Sequence, residues 1–105
     1  MNGTEKQIKW AIDIIEKADE AIQRFGLNCI KEEFESHDDA EWFIENYKFT
    51  TDRRETNYDK YKYFESMINK ELELRTAGLK RKEANQIGRE VFRPMFDEIY
   101  NQYIG

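Results

Sequence analysis

The segment EEFESHDDAEW, residues 32–42, surrounds the only histidine of the chain with six acidic residues. If one helix ran through this segment, a single face would carry that histidine and three carboxylates at steps of four residues: Glu33, His37, Glu41 and Glu45. A histidine grouped with carboxylates can bind a transition metal or take part in acid–base catalysis. This set is the strongest candidate for chemistry in the sequence.

Three observations argue against chemistry at this segment. The pair His37–Asp38 resembles the His-Asp pair of metal-dependent phosphohydrolases, but that class needs further histidines, which this chain lacks. Ser36 and Asp38 suit the start of a helix better than its interior, so we expect the shared face to break at His37. Acidic residues at a helix N-terminus also interact favourably with the helix dipole. We therefore expect a solvated helix start, with no metal, no other cofactor and no enzymatic activity.

The remaining reactive residues form no recognisable catalytic motif. Cys29 is the only cysteine, so it cannot form a disulfide within the chain. A reactive thiol needs a base or a positive environment, and we expect Cys29, beside Ile30, to be a small buried hydrophobic residue instead. The sequence has no glycine-rich phosphate loop, dinucleotide-binding fingerprint, CxxC pair or nucleophile elbow.

Two groups of residues are candidates for binding a protein partner. The first is the acidic segment, which can occupy a basic cleft as nucleic-acid mimics do, or can simply be a solvated face. Its candidate residues are Glu32, Glu33, Glu35, Asp38, Asp39 and Glu41. The second is the tyrosine group Tyr58, Tyr61 and Tyr63, which cannot all share one helix face. Exposed tyrosines suit an interface, whereas tyrosines at the margin of a core are the alternative.

The segment RTAGLKRKEANQIGREVFR is the main basic part of the chain. Its candidate nucleic-acid-binding residues are Arg75, Lys80, Arg81, Lys82, Arg89 and Arg93. Gly78 fits the turn of a helix-turn-helix, and Leu79 stands where that motif needs an apolar residue. Glu73 and Leu74, however, stand where it favours an apolar and then a small residue. A chain with a pI near 5.0 is also a poor generic DNA binder. Nucleic-acid binding is therefore the alternative to protein binding and not the favoured function.

The clearest helix lies in TEKQIKWAIDIIEKADEAIQRFG. Thr4 and Gln7 have the spacing of a capping box, and Gly26 is a natural stop. We expect an apolar stripe to be buried: Ile8, Ala11, Ile12, Ile15, Ala18, Ile22 and Phe25. Three more apolar residues lie to one side of it: Trp10, Ile14 and Ala21. This wide apolar arc predicts contacts with two neighbouring helices. It also leaves open whether two copies of the chain form a homodimer.

The rest of the sequence also favours helices. Asn28 can begin a short helical turn, and Ser36 or Asp38 can cap the helix after it. A longer helix, ending near Gly78, is expected to bury Tyr61, Phe64, Ile68 and Leu72. A last helix carries the stripe Ala84, Ile87, Val91, Met95 and Ile99, with Gly88 on the same face. Gly88 there would permit a close helix crossing.

Pro94 should kink the last helix or split it. No segment alternates apolar and polar residues with β-branched side chains, and valine occurs once. The sequence therefore predicts an all-α fold, a compact bundle of four to five helices.

Length and composition set the remaining expectations. The 105 residues suit a single helical domain, and 37% charged with 14% aromatic residues argues against disorder. No apolar stretch reaches the roughly 18 residues of a membrane helix, and the start of the chain does not resemble a signal peptide. We therefore expect a cytoplasmic protein without membrane contact.

The opening GTEKQIKWAIDI, residues 3–14, resembles the start of many small proteins of Firmicutes bacteria, their phages and mobile elements. Those proteins commonly begin with glycine, then serine or threonine, then EKQI, an aromatic residue and alanine. The resemblance covers about a tenth of the chain, has no assigned activity and carries over no site residues. It implies an accessory gene whose product modulates a host or rival machinery. Our leading hypothesis is a small, non-catalytic helical interaction protein.

Overall fold

The computed structural model describes all 105 residues and consists of helices and their connections, without a β-strand. The α-helices are α1 (Glu5–Phe25), α2 (Asn28–Ser36), α3 (Ala40–Tyr47), α4 (Asn57–Thr76), α5 (Arg81–Ile87) and α6 (Arg93–Tyr103). A 3₁₀ segment, Lys48–Thr51, follows α3, and a π-helical segment, Gly88–Phe92, joins α5 to α6. With the last two helices joined, the chain has 5 helices, which confirms the predicted all-α fold. None of them combines the length and the apolar character that crossing a bilayer requires.

Contacts between Cα atoms divide the chain into two compact units. Unit 1 comprises residues 1–53, and unit 2 comprises residues 54–105. Their charges differ, because unit 1 holds 13 acidic and 7 basic residues whereas unit 2 holds 9 acidic and 10 basic residues. The net charges of −6 and +1 give the −5 of the chain, so unit 1 carries the negative charge. The single domain expected from the length stays a prediction.

The ends of α1 are set by the local signals that the sequence carries. The Thr4 hydroxyl accepts a hydrogen bond from the Gln7 backbone N–H at 3.2 Å, and Gln7 Oε1 accepts one from the Thr4 N–H at 2.9 Å. Gly26 ends the helix in the left-handed conformation, with φ at 62°. Gly3 also has a positive φ, 141°, and a Cβ there would lie only 2.9 Å from the Cβ of Ala40. Glycine is therefore needed just before and just after this helix.

The buried face of α1 differs from the predicted stripe. The buried residues are Ala11, Ile14, Ala18, Ala21 and Ile22. Ile12, which the sequence placed in the core, is 47% exposed, and Ile8, Ile15 and Phe25 are only half-buried. The core lies on the flank that carries Ile14 and Ala21, so the predicted centre of the stripe was wrong. Short alanine side chains on this flank let the backbones of α1 and α3 approach closely.

The other short helices complete the core of unit 1. Leu27, Ile30 and Phe43 are fully buried. Asp39 caps α3, and its side chain accepts a hydrogen bond from the Glu41 N–H at 3.1 Å. We predicted Ser36 or Asp38 as the cap of this helix. That prediction was wrong, because the cap is Asp39, the residue after Asp38. Asp39 takes this role because its backbone is extended and its carboxylate reaches the second N–H of the helix.

In unit 2, α4 provides most of the core. Thr56 and Asp59 form a capping box at its start. The buried residues of the helix are Tyr63, Phe64, Met67, Ile68 and Glu71. Tyr61 and Leu72, which were expected on the buried face, are half-buried. The buried Glu71 carboxylate accepts a hydrogen bond from Arg75 Nη2 at 2.9 Å, so the acid is not left without a positive partner.

The last helix bends just before Pro94, as the sequence predicted. Pro94 has no N–H and cannot donate to the carbonyl four residues earlier. The chain forms the π-helical segment at this point, in which the Arg93 N–H donates to the Gly88 carbonyl, five residues back. Phe92, the last residue of this segment, and Ile99, in the helix that follows, are buried and lie two turns apart. The expected close crossing at Gly88 was wrong, because a Cβ built there has no atom within 4 Å.

Candidate functional site

The centre of the acidic segment contacts the start of the chain. The Asn2 N–H donates to the Asp38 carbonyl at 2.8 Å, and the Ala40 N–H donates to the Asn2 carbonyl at 2.9 Å. These two bonds form an isolated parallel bridge between Asn2 and Asp39. The Met1 amino group also lies 3.3 Å from Asp38 Oδ1. Asp38 and Asp39 thus fix the chain entering α1 to the start of α3, which is a structural use of this part of the segment.

His37 lies between two short helices and contacts a residue from each of them. Its ring stacks on the Trp42 indole, with centroids 3.6 Å apart, and its Nε2 lies 3.6 Å from Glu33 Oε2. Glu33 belongs to α2, whereas Glu41 and Glu45 belong to α3 beyond an extended backbone. The four-residue spacing therefore does not give a shared face. The chain contains no group of three or more His, Cys, Asp or Glu side chains arranged to hold a metal ion.

The remaining acidic residues of the segment face solvent. Glu32, Glu35 and Glu41 are exposed. Glu35 also lies on the rim of a cavity of about 250 Å³ between α1 and α2, which we call the α1–α2 groove. The groove is lined by Ile15, Asp19, Ile22, Lys31, Phe34 and Glu35. Its three apolar side chains are buried or half-buried and form the floor, whereas the two carboxylates and the ammonium group belong to exposed residues and form the rim.

The apolar surface of the groove continues along α1. Ile12 lies one turn before Ile15, and its 47% exposure is high for an isoleucine. Ile8 extends the same side by another turn and is half-buried. Glu16, one turn after Ile12, is exposed and adds a further acid to the border. Unit 1 therefore presents a continuous apolar strip with a negatively charged edge. The apolar periodicity signalled this strip, but assigned it to the core.

The three candidate tyrosines have different surroundings. Tyr63 is buried, and the Arg54 guanidinium lies over its ring at 3.8 Å. The Tyr61 hydroxyl hydrogen-bonds the Glu65 carboxylate, which raises the pKa of Tyr61. Tyr58 is 61% exposed. The structure therefore does not bring them together, and only Tyr58 presents most of its ring to solvent.

The acceptor of the Tyr61 hydroxyl has a second partner. Lys62 Nζ lies 2.8 Å from Glu65 Oε1, and this hydrogen bond is the main reason that the pKa of Glu65 is lowered. The same contact raises the pKa of Lys62. Tyr61, Lys62 and Glu65 are thus mutually engaged on α4, and their pKa shifts have a local structural cause.

The basic candidates fall into three groups. Arg75 points inward, where it bonds the buried Glu71 and lies 5.1 Å from the Phe92 ring. Lys80, Arg81 and Lys82 are exposed around the start of α5. Leu79, which a helix-turn-helix would pack inside, is itself 38% exposed. The six basic residues therefore do not act as a single positive surface.

Arg89 and Arg93 form the third group and line a cavity of about 400 Å³ in unit 2, which we call the arginine cavity. Its lining residues are Leu72, Thr76, Ala84, Asn85, Gly88, Arg89 and Arg93. The sequence placed both arginines among the basic candidates, but it did not indicate a cavity. The kink predicted at Pro94 was the sequence signal of irregular helix geometry here, but it did not indicate a cavity.

Comparisons add no relative to this description, since no protein-family model, curated protein or solved structure matches the chain.

Proposed function

We propose that the protein is a small, non-catalytic helical interaction protein that binds and modulates another protein. The observation that supports this proposal is the α1–α2 groove, whose apolar floor continues to the exposed Ile12 and whose rim is mainly acidic. Clefts with apolar floors and charged edges are typical of surfaces that accept an amphipathic segment. We place the partner site here and not on the acidic segment as a whole, because Asp38 and Asp39 already have structural contacts.

The chemistry of the groove indicates the kind of partner. Ile12, Ile15 and Phe34 would be covered by apolar side chains, and removing one isoleucine from water contributes about 1.5–3 kcal/mol. The acidic rim of Asp19 and Glu35 favours lysine or arginine on both sides of those anchors, which increases the association rate and excludes acidic competitors. An amphipathic, basic helical segment of another protein has this pattern.

The biological setting follows from the start of the sequence. Residues 3–14 resemble the start of small proteins from Firmicutes, their phages and mobile elements, so we propose an accessory factor that acts on a host protein in the cytoplasm.

The apolar strip of unit 1 also suits a second copy of the chain, which makes a homodimer the competing use of this face. Measuring the molar mass in solution for the wild type and for Ile12→Arg distinguishes the two uses.

A peptide-selection experiment tests the proposed groove. A library of displayed helical peptides is selected against the folded protein, and the affinity of enriched peptides is measured by calorimetry. We expect enrichment of basic amphipathic sequences, and a loss of affinity of at least about tenfold in Ile12→Arg. Ile104→Arg is the matched control, because Ile104 is an isoleucine of unit 2 with a similar exposure, 42%, and this variant should leave the affinity unchanged. Enrichment of acidic peptides, or equal losses in both variants, would refute the proposal.

The alternative function is a nucleic-acid-binding module on segment 75–93. It is less well supported, because Arg75 is engaged with Glu71 and the net charge of −5 repels a polyanion. We predict that the wild type binds duplex DNA weakly or not at all at about 150 mM salt. Fluorescence anisotropy with labelled duplexes measures this. A sequence-selective, submicromolar complex that is lost in Lys80→Glu with Arg81→Glu would make this alternative the better function.

A further inference from the structure

The arginine cavity has a feature that the proposed protein-binding groove does not use. Arg89 and Arg93 both line it, both are exposed, and neither side chain makes a hydrogen bond or ion pair within the chain. Of the carboxylates near the cavity, Glu90 accepts a hydrogen bond from Gln86 Nε2 at 3.2 Å, and Glu71 is bonded to Arg75. Asp97 follows Arg93 by four residues but forms no ion pair with it. Two arginines thus line one cavity without an ion pair to a carboxylate of the chain.

Their spacing explains why the two arginines share this cavity. Residues four apart on a helix are neighbours on one face, offset around the axis by roughly 40° in an α-helix. Arg89 lies within the π-helical segment and Arg93 directly follows it, so both residues stand on the same side of the joined helix. Both arginines therefore line the same cavity.

The other residues that line the cavity determine which ligand groups could bind beside an anion. Leu72 and Ala84 supply apolar surface, while Asn85 supplies an amide and Thr76 a hydroxyl. The Thr76 hydroxyl donates to the Leu72 carbonyl at 2.7 Å, so its oxygen remains able to accept a hydrogen bond but not to donate a second one. Donors for an oxyanion therefore come from Arg89, Arg93 and Asn85. The cavity volume of about 400 Å³ is within the range of small-molecule sites.

We propose that the arginine cavity binds a small phosphate monoester with an apolar substituent. The two guanidinium forks match the geometry and charge of a phosphate group, which accepts several hydrogen bonds from arginine in this way. The apolar substituent lies against Leu72 and Ala84. The binding of a dianion also relieves the repulsion between two neighbouring cations that have no other partner.

Calorimetric titration with phenyl phosphate tests this site on the full chain. We expect one saturable site per chain, with affinity at least about tenfold weaker in Arg89→Gln with Arg93→Gln, because hydrogen bonds to charged groups are lost. Lys80→Gln with Arg81→Gln is the matched control, since it removes two exposed cations outside the cavity and should change the affinity about twofold or less. Circular dichroism of both variants confirms that they remain folded.

Two further compounds test separately how the anionic group and the apolar substituent of the ligand contribute to binding. Inorganic phosphate tests the anion alone and benzoate tests an apolar carboxylate, and both should bind more weakly than phenyl phosphate. Equal affinity for inorganic phosphate would remove the apolar part of the proposal. Absence of saturable binding, or equal losses in the two double variants, would overturn it. Tighter binding of a short oligonucleotide that depends on Lys80 and Arg81 would also overturn it and favour a nucleic-acid surface.

Discussion

The ring of His37 lies flat against the indole of Trp42, with an interplanar angle of 5° and a centroid separation of 3.6 Å. This contact gives the only histidine of the chain a structural role, because it joins the end of α2 to the first turn of α3. Glu33 adds a carboxylate to the other edge of the ring. The six surrounding acids thus do not converge on the histidine.

The first prediction concerns this stacked pair. His37→Ala should lower the free energy of unfolding by about 0.5–1.5 kcal/mol, the usual contribution of an aromatic pair, and should alter the tryptophan fluorescence of the folded state. Chemical denaturation followed by fluorescence measures both effects. Calorimetric titration of the wild type with zinc should show no stoichiometric site. A tight zinc site that disappears in His37→Ala would show that the metal interpretation was correct after all.

The second prediction compares two isoleucines of α1 that lie two residues apart. Ile14 is fully buried, so Ile14→Ala should cost about 2–5 kcal/mol of stability. Ile12 is 47% exposed, so Ile12→Ala should change stability by no more than about 0.5 kcal/mol. Urea denaturation of the two variants is internally controlled, because the same isoleucine-to-alanine change is made at both positions. Equal costs would mean that Ile12 is covered in solution, for example by a second copy of the chain.

The same pair of residues shows how far the sequence could predict the fold. Caps and breakers such as Thr4, Gly26 and Pro94 act over a few residues, so the helices and the bend were predictable. The arc of α1 that faces the core could not be predicted, since the arcs around Ile12 and Ile14 are both apolar. The choice between them depends on the alanine-lined approach of α3, which is a property of the folded chain.

The candidate sites were also predictable only in part. The acidic and basic residues could be recognised by type and spacing, but their partners could not. Asp38 meets Asn2, which is 36 residues away in sequence, through its backbone carbonyl. Arg75 points to a buried acid, whereas Arg89 and Arg93 face a cavity whose shape depends on the π-helical segment. Such relationships require three-dimensional contacts that no local pattern encodes.

The third prediction concerns Gly88, at the start of that π-helical segment. Its backbone is right-handed helical, with φ at −55°, and a Cβ there would meet no atom within 4 Å. Gly88→Ala should therefore stabilise the protein by about 0.5–1 kcal/mol, because alanine restricts the unfolded chain and has the higher helix propensity. Thermal and urea unfolding measure the change. A loss of stability would show that the π-helical segment requires the freedom of glycine.

The last prediction concerns pH and the capping box of α4. The Thr56 backbone N–H donates to Asp59 Oδ2 at 3.2 Å, and this bond, followed by the contact with the Thr56 side chain, lowers the pKa of Asp59 below its ordinary value of 3.8. Because the folded pKa is the lower one, the unfolded state binds the proton more readily. The stabilisation by Asp59 is therefore complete above the unfolded pKa and is lost as the pH falls through the folded pKa.

Asp59→Asn isolates this contribution, because the amide oxygen can still accept the Thr56 N–H but carries no charge. Urea denaturation of both proteins between about pH 6 and pH 2 should show the wild type losing its advantage over the variant as the acid titrates. Asp59 is at the surface, so added salt should reduce the advantage at neutral pH. Two curves that stay parallel over the whole range would mean that the charge of Asp59 does not contribute to the cap, and that its hydrogen bond alone holds the start of α4.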